Sequence, residues 1–463
     1  MTFDSIKAIK ILSIFKGSSD KMHLTQKDFE IQSLGECKFE SPLKLSTVDG
    51  DNLTNYVTED ERILYSCYLK DIKEDIKAGR DPLSFEKAGP RKKIFFNPSE
   101  TKAAIVTCGG LCPGINDVVR GLVMNLHYQY GIKSIYGFKY GYLGLIRESG
   151  LTPTVLRPDY ISEIHEQGGS ILGSSRGNQD VAKIVDRLMD FDINILFTIG
   201  GDGTLRGAKE ITEEINKRGL PIAVVGVPKT IDNDIGFLER TFGFETACSN
   251  AVEAIRGAHA EAKGYQNGVG LVRLMGRQSG SIAAHASIAS QDVNFCLIPE
   301  MDFDLEGEKG FYHHLLERVK RKGHAVVVVA EGLGEKFCKT DEKDASGNIK
   351  SGDIGPFLKA GIIKYFKDNN TPLSMKYIDP SYMIRSSPAI PSDSVFCNQL
   401  AQHAVHAAMA GKTGCVAGIW SNSFTYVPID IAIRSRKFVD MESQLWLNVL
   451  EATGQPKFML NNM

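Results

Sequence analysis

The chain reads as an α/β protein of two Rossmann-like lobes with mainly parallel sheets, preceded by an N-terminal extension. Three observations predict this. From Lys102 onward, short β-branched runs alternate with helical patterns, the rhythm of βαβ units. Turns rich in glycine or carboxylate follow those runs, at the strand ends where open parallel sheets gather ligands. Residues 1–95 are charged, poor in glycine and without that rhythm, and end in the basic stretch 87–93.

In order, residues 103–107 form the first strand, 115–130 a helix and 134–138 the second strand. Residues 193–199 are an uninterrupted apolar run, the mark of a strand buried on both faces, and 205–217 are an amphipathic helix. Residues 221–227 make another apolar strand. The helix 246–263 leads to a second set: strand 268–274, a helix after Gly280, strand 295–298, helix 311–322 and strand 325–330. Residues 339–354 carry charge and glycine with no apolar period, and read as an exposed loop. The division expected is an extension at 1–95, a first lobe at 96–238 with 386–440 returning to it, a second lobe at 239–385 and a C-terminal segment at 441–463.

Composition excludes several classes. With 463 residues and 42% apolar content the chain can fill two or three cores. Its 54 basic and 56 acidic residues give a net charge of −2, so nothing favours nucleic acid or an anionic membrane surface. The longest aliphatic run, 325–330, is far too short to span a bilayer. Nine scattered cysteines argue for a reducing compartment, and no signal peptide is evident; the cytoplasm is the expected location.

The motifs carry the chemistry. In GGDGT, Gly200, Gly201 and Gly203 let backbone amides approach phosphate oxygens, Thr204 ends the turn at the same nucleotide site, and Asp202 is placed to ligate a magnesium ion carried by a nucleotide. The competing reading is a tight turn whose aspartate only caps the helix. In PKTIDND, at 228–234, Asp232 is suited to take a proton from a sugar hydroxyl, Lys229 to neutralise a transferring phosphoryl group and Thr230 to bond a phosphate. Asp234 either orients the base or ligates metal. Gly109 and Gly110 open the first helix and can cradle phosphate. Arg176, in GSSRG, is a phosphate or adenine contact, or an exposed structural arginine.

In series, GGLCPGIN (109–116), GSSRG (173–177), GGDGT (200–204), PKTIDND (228–234), MGRQSG (275–280), AEG (330–332) and YMIR (382–385) resemble the phosphofructokinases, over roughly residues 102–440. The resemblance is to the long ATP-dependent type, related to the plant, trypanosomatid and pyrophosphate-dependent branch. It implies the two-lobed fold of that family and transfer of phosphate from ATP to the 1-hydroxyl of fructose 6-phosphate in glycolysis. It implies Asp232 as general base, Asp202 as ligand of Mg2+, and Arg277 as the cation on the transferring group, with Thr230 and Asp234 beside it. Met275, Gly276 and Glu331 match positions that hold the sugar; Lys376, Tyr382 and Arg385 match those that hold its 6-phosphate. A cytoplasmic homo-oligomer, a tetramer, with effector control is implied too.

Two departures from the short bacterial members bear on the donor and the acceptor. Lys229 stands where those members have glycine, as in both the pyrophosphate-dependent branch and the long ATP-dependent members. Pyrophosphate users resemble GGDDT, whose second carboxylate would crowd a nucleotide α-phosphate; here that position is Gly203. Gly268 stands where short members offer an arginine to a neighbouring subunit's sugar phosphate. The alternatives are a pyrophosphate-dependent phosphotransferase, an NAD or lipid kinase sharing only the GGDGT turn, and a catalytically silent sugar-phosphate-binding subunit.

Overall fold

A computed structural model describes residues 24–343 and 349–462. Two sheets organise them. The larger has nine strands in the order Arg62–Leu64, Ser84–Lys87, Ser423–Pro428, Cys415–Trp420, Ala223–Pro228, Ile195–Gly200, Lys102–Thr107, Ser134–Phe138, Thr154–Val155. Its five central strands, from Cys415–Trp420 to Ser134–Phe138, run parallel, and antiparallel strands flank them. The smaller is wholly parallel: Phe295–Leu297, His324–Ala330, Gly268–Leu274, Ser374–Ile378.

The apolar runs follow from this layering. Ala103 and Ile105 of one strand, with Ile195, Phe197 and Ile199 of the next, fill one core; Ala104, Val106 and Leu196 fill the core on the opposite face. Successive side chains point to opposite faces, so a strand covered on both sides must be apolar throughout. The helices Ile115–Met124 and Pro391–Met409 cover one face, and Val181–Asp190 and Asp202–Lys217 the other. In the smaller sheet, Phe244–Lys263 lies hard against Gly268–Leu274: a Cβ on Gly268 would fall 2.0 Å from the Ala262 carbonyl oxygen.

Several elements differ from the sequence reading. The first helix is regular only over Ile115–Met124 and continues as a wider π-helical turn, Asn125–Gln129. The segment read as a loop contains a hairpin, Lys339–Lys343 with Ile349–Ser351, and is followed by an unforeseen helix, Ile354–Asp368. The extension also joins the larger sheet: Ser84–Lys87 pairs with Ser423–Pro428. Phe29 and Phe85 are fully buried against Phe237, while Tyr65 stacks on Trp420 at 5.4 Å. At the other end, the helix Gln444–Thr453 packs on Ser281–Ser290 of the smaller sheet's layer.

Candidate active site

Most candidate groups sit at or just past the carboxyl end of a parallel strand; Lys376 lies within Ser374–Ile378, and Arg176 lies on the segment that leads into the helix Val181–Asp190. Lys102–Thr107 delivers Gly109 and Gly110, Ile195–Gly200 delivers the GGDGT turn, and Ala223–Pro228 delivers Lys229 to Asp234. From the other sheet, Gly268–Leu274 delivers Met275 to Arg277, His324–Ala330 delivers Glu331, and Ser374–Ile378 precedes the helix Ser381–Arg385.

The donor side is a cleft of about 620 Å³ whose walls include Gly109, Gly110, Arg176, Gly201, Asp202, Gly203, Thr204 and Lys229. The helix starts earlier than its apolar pattern suggests: Gly201 is the N-cap, and Asp202, Gly203 and Thr204 form the first turn of Asp202–Lys217. The Thr204 amide donates to the Gly201 carbonyl at 2.9 Å, while the Asp202 and Gly203 amides, at the first two helical positions, have no intrahelical acceptor and stand ready for an anion. Thr204 also explains Gly200, since a Cβ there would overlap the threonine side chain at 2.1 Å. Around Gly203, by contrast, a Cβ would meet nothing within 4 Å. Lys229 is buried, its Nζ donating to the Gly110 carbonyl oxygen at 2.5 Å, and burial holds its pKa below the usual lysine value.

Asp202 is held by two guanidiniums. Arg206, one turn on, donates from Nε to Oδ2 at 3.1 Å and from Nη2 to Oδ1 at 3.2 Å. Arg436 donates from Nη2 to Oδ2 at 3.2 Å, and its Nη1 lies 3.8 Å from Asp234 Oδ2. The Thr230 hydroxyl donates to Asp234 Oδ1 at 2.6 Å and accepts from the Asp232 amide at 3.2 Å. An unbroken chain of contacts therefore joins Asp202 to Asp232.

Asp232 has the electrostatics of a base. Burial, reinforced by the negative charges of Asp234 and Glu331, pushes its pKa up to about 7, against the pull of Arg385. Its Oδ1 is buried without a hydrogen-bond partner. A carboxylate with a free oxygen and a pKa near neutrality can take and release a proton at working pH.

The acceptor side adds fixed charges. Glu331 accepts from Arg273 Nη2 at 2.9 Å, and Arg385 Nη2 approaches its other oxygen at 3.8 Å. Arg273 also donates to Asp379 at 2.8 Å. Met275 is fully buried, and Gly276 has φ +121°, where a Cβ would fall 2.4 Å from the Ser279 carbonyl oxygen; only glycine fits. Arg277 pairs with Glu335 at 3.2 Å. Two of the expected residues stand apart from this cluster. Lys376 turns to Glu261, at 3.4 Å, and lies over the Tyr265 ring at 4.6 Å. Tyr382 is 85% exposed.

Arg206, Arg273, Gln278, Glu335 and Arg436 escaped the sequence reading. Arg206 had a signal, its i,i+4 spacing from Asp202 on one helix face. Arg436 had none, because more than two hundred positions separate it from the carboxylate it binds.

For a nucleotide-borne magnesium ion the residues fit. Among the described residues no group of three or more His, Cys, Asp or Glu could hold a metal alone, and such an ion needs only one or two carboxylates beside the phosphates. Asp202 supplies one, at the mouth of the helix that would receive those phosphates.

The family model for phosphofructokinase matches residues 102–408. An ATP-dependent 6-phosphofructokinase of Borreliella burgdorferi is 50% identical over 442 residues, covering 94% of this chain and 98% of that protein. One from Amycolatopsis methanolica is 44% identical, covering 94% and 96%, and one from Trypanosoma cruzi is 43% identical, covering 93% and 88%. A crystal structure of a pyrophosphate-dependent phosphofructokinase from Marinobacter aquaeolei superposes with a TM-score of 0.61 at 21% identity, over 76% of this chain and 91% of that one, a likeness of fold alone. The clefts at the strand ends, the matched family model and the relatives of nearly equal length lead to one conclusion: the chain belongs to the phosphofructokinase family.

Proposed function

We propose that this chain is an ATP-dependent 6-phosphofructokinase, converting fructose 6-phosphate to fructose 1,6-bisphosphate in glycolysis. The observation that carries the reading is Asp232: a buried carboxylate with a pKa raised to about 7, joined by contacts to the donor cleft. In this mechanism Asp232 accepts the proton of the C1 hydroxyl as that oxygen attacks the γ-phosphorus. The bond to the β-phosphate oxygen breaks and ADP leaves. The Arg277 guanidinium and the Lys229 ammonium face the charge spread over the transferring group, and Thr230 fixes Asp234 beside the base. Asp202 would hold a magnesium ion carried by the nucleotide, which would supply positive charge to the phosphates.

ATP rather than pyrophosphate follows from Gly203, whose missing side chain leaves the cleft open. The relatives named ATP-dependent support the same choice. Gly109, Gly110, Arg176 and the GGDGT turn hold the nucleotide. Met275, Gly276 and Glu331 hold the sugar, with Lys376, Tyr382 and Arg385 for its 6-phosphate. An arginine at 268, as in short members, would drive its Cβ into the Ala262 carbonyl, so any contact across subunits must come from elsewhere. All nine cysteines are unpaired, which supports a cytoplasmic home, and the homo-oligomer, a tetramer, is proposed on the family resemblance. A steady-state assay with ATP and pyrophosphate side by side tests the donor: turnover with ATP alone is expected, and turnover with pyrophosphate alone overturns the reading.

A further inference from the structure

Residues 433–439 leave the short helix Ile429–Ala432 of the donor lobe and run to the other sheet's layer. They are anchored on both sides. The Ile433 carbonyl accepts from Arg206 at 3.0 Å, and the Lys437 amide donates to the Asp234 carbonyl at 2.9 Å. Beyond them, the Val439 amide donates at 2.9 Å to Glu300, the carboxylate that also accepts from Gly280 at the start of the helix Ser281–Ser290. Arg436 lies between these anchors, bridged to Ile235 in antiparallel fashion. Its guanidinium donates to Asp202 at 3.2 Å and to Gln278 Oε1 at 2.5 Å, and stands 3.8 Å from Asp234.

We propose that Arg436 is a positioning residue of the phosphoryl transfer. Its fork fixes the metal-side carboxylate Asp202 against Asp234, the neighbour of the base, and through Gln278 ties that spacing to the Arg277 loop of the other lobe. The proposal rests on the phosphotransferase reading for what Asp202 does. Charge alone does not explain Arg436, because Arg206 already neutralises Asp202 from its own helix with two hydrogen bonds. What Arg436 adds is the span: one rigid planar group reaching three side chains, one at a helix start and two on separate loops. An in-line transfer needs donor and acceptor aligned, and a misplacement of about 1 Å can cost on the order of 100-fold in rate. Lysine, with one flexible point charge, cannot make two of these bonds in fixed directions.

The test uses the full chain carrying Arg436→Gln or Arg436→Lys. Turnover is measured with saturating substrates, ATP affinity by calorimetry at stepped magnesium without sugar, and fructose 6-phosphate affinity separately. The expected result is a fall in kcat of roughly 10- to 100-fold in both variants, the lysine failing to rescue. Metal-dependent ATP affinity should weaken alongside, while sugar-phosphate affinity and melting temperature stay at the parental values. Parental kcat in either variant overturns the proposal, and so does a parallel loss of sugar affinity and melting temperature, which marks a merely structural role. If the parent itself shows no turnover with ATP and fructose 6-phosphate, the phosphotransferase reading fails, and the calorimetric arm alone still decides whether Arg436 governs metal-dependent ATP binding.

Discussion

At the scale of single residues, Asp232 and Gly203 make the sharpest claims. A base works only when deprotonated, and the pKa of Asp232 is raised to about 7 by burial and by Asp234 and Glu331. Turnover should therefore climb with pH up to and through about 7 and lose roughly tenfold per unit below it, unlike a carboxylate of ordinary pKa, whose limb would lie near pH 4. A pH profile of kcat/KM with no acid limb between pH 5 and about 8 would contradict the assignment. Asp232→Asn should cut kcat by roughly 10²- to 10⁴-fold with sugar-phosphate binding intact, read by calorimetry. Gly203 speaks to the donor. Because a Cβ there meets open space, Gly203→Asp should fold with an unchanged melting temperature, yet its carboxylate would occupy and charge the place of a nucleotide phosphate. Loss of ATP turnover by at least about 100-fold is expected, on the scale of a like charge buried beside a phosphate; near-parental kcat/KM for ATP would sink that account. These residues were legible because the motifs bearing them are local and sit at strand ends. Arg436 and Arg273 were not, since each acquires its partners only when distant loops meet.

At the scale of elements, period and glycine decide what could be read. Strands 134–138 and 268–274 and helix 311–322 match their observed limits, because a run covered on both faces, or one apolar stripe ended by glycine, leaves little choice. The start of Asp202–Lys217 was misjudged by three residues: the glycines that suggest a turn lie within the helix's first turn, where close approach to a ligand outweighs helix propensity. Lys339–Lys343 and Ile349–Ser351 escaped because a short hairpin of charged residues has no apolar alternation to betray it. Two helical glycines separate packing from propensity. Gly121 faces the helix Pro391–Met409, where a Cβ would lie 2.7 Å from that of Ala401. Gly121→Val should thus destabilise by about 1–3 kcal/mol through overpacking. Gly257, exposed on Phe244–Lys263 with nothing within 4 Å, should gain about 0.5–1 kcal/mol as alanine. Denaturant melts of the two variants check both signs, and a stabilised Gly121→Val would refute the close helix contact.

At the scale of the whole molecule, the part least legible in sequence is how far the extension belongs to the donor sheet. Arg62–Leu64 and Ser84–Lys87, which pair with each other, are too short to show a period, and Ser423–Pro428, which Ser84–Lys87 pairs on its other edge, lies hundreds of residues away. Their integration is both apolar and ionic. Phe29 and Phe85 are fully buried in the core on the face bearing Asp202–Lys217. Lys412, whose side chain is only 10% exposed, pairs with Glu59 at 2.7 Å and Glu86 at 3.0 Å, and Arg91 reaches the same two carboxylates. Taking away residues 1–95 would uncover an edge strand, empty the space of two phenylalanines and leave a buried ammonium without a counter-charge. Phe85→Ala alone should cost about 3–5 kcal/mol, and the unpaired Lys412 a similar amount, together approaching the whole stability of an ordinary domain. A chain of residues 96–463 is therefore expected to aggregate on expression rather than to fold around its donor cleft. Soluble yield, a calorimetric melt and ATP turnover of that chain decide the matter. If it is recovered soluble, melts cooperatively near the full chain's temperature and turns over ATP, the extension is an appendage after all, and the contacts of Phe85 and Lys412 are dispensable to the fold.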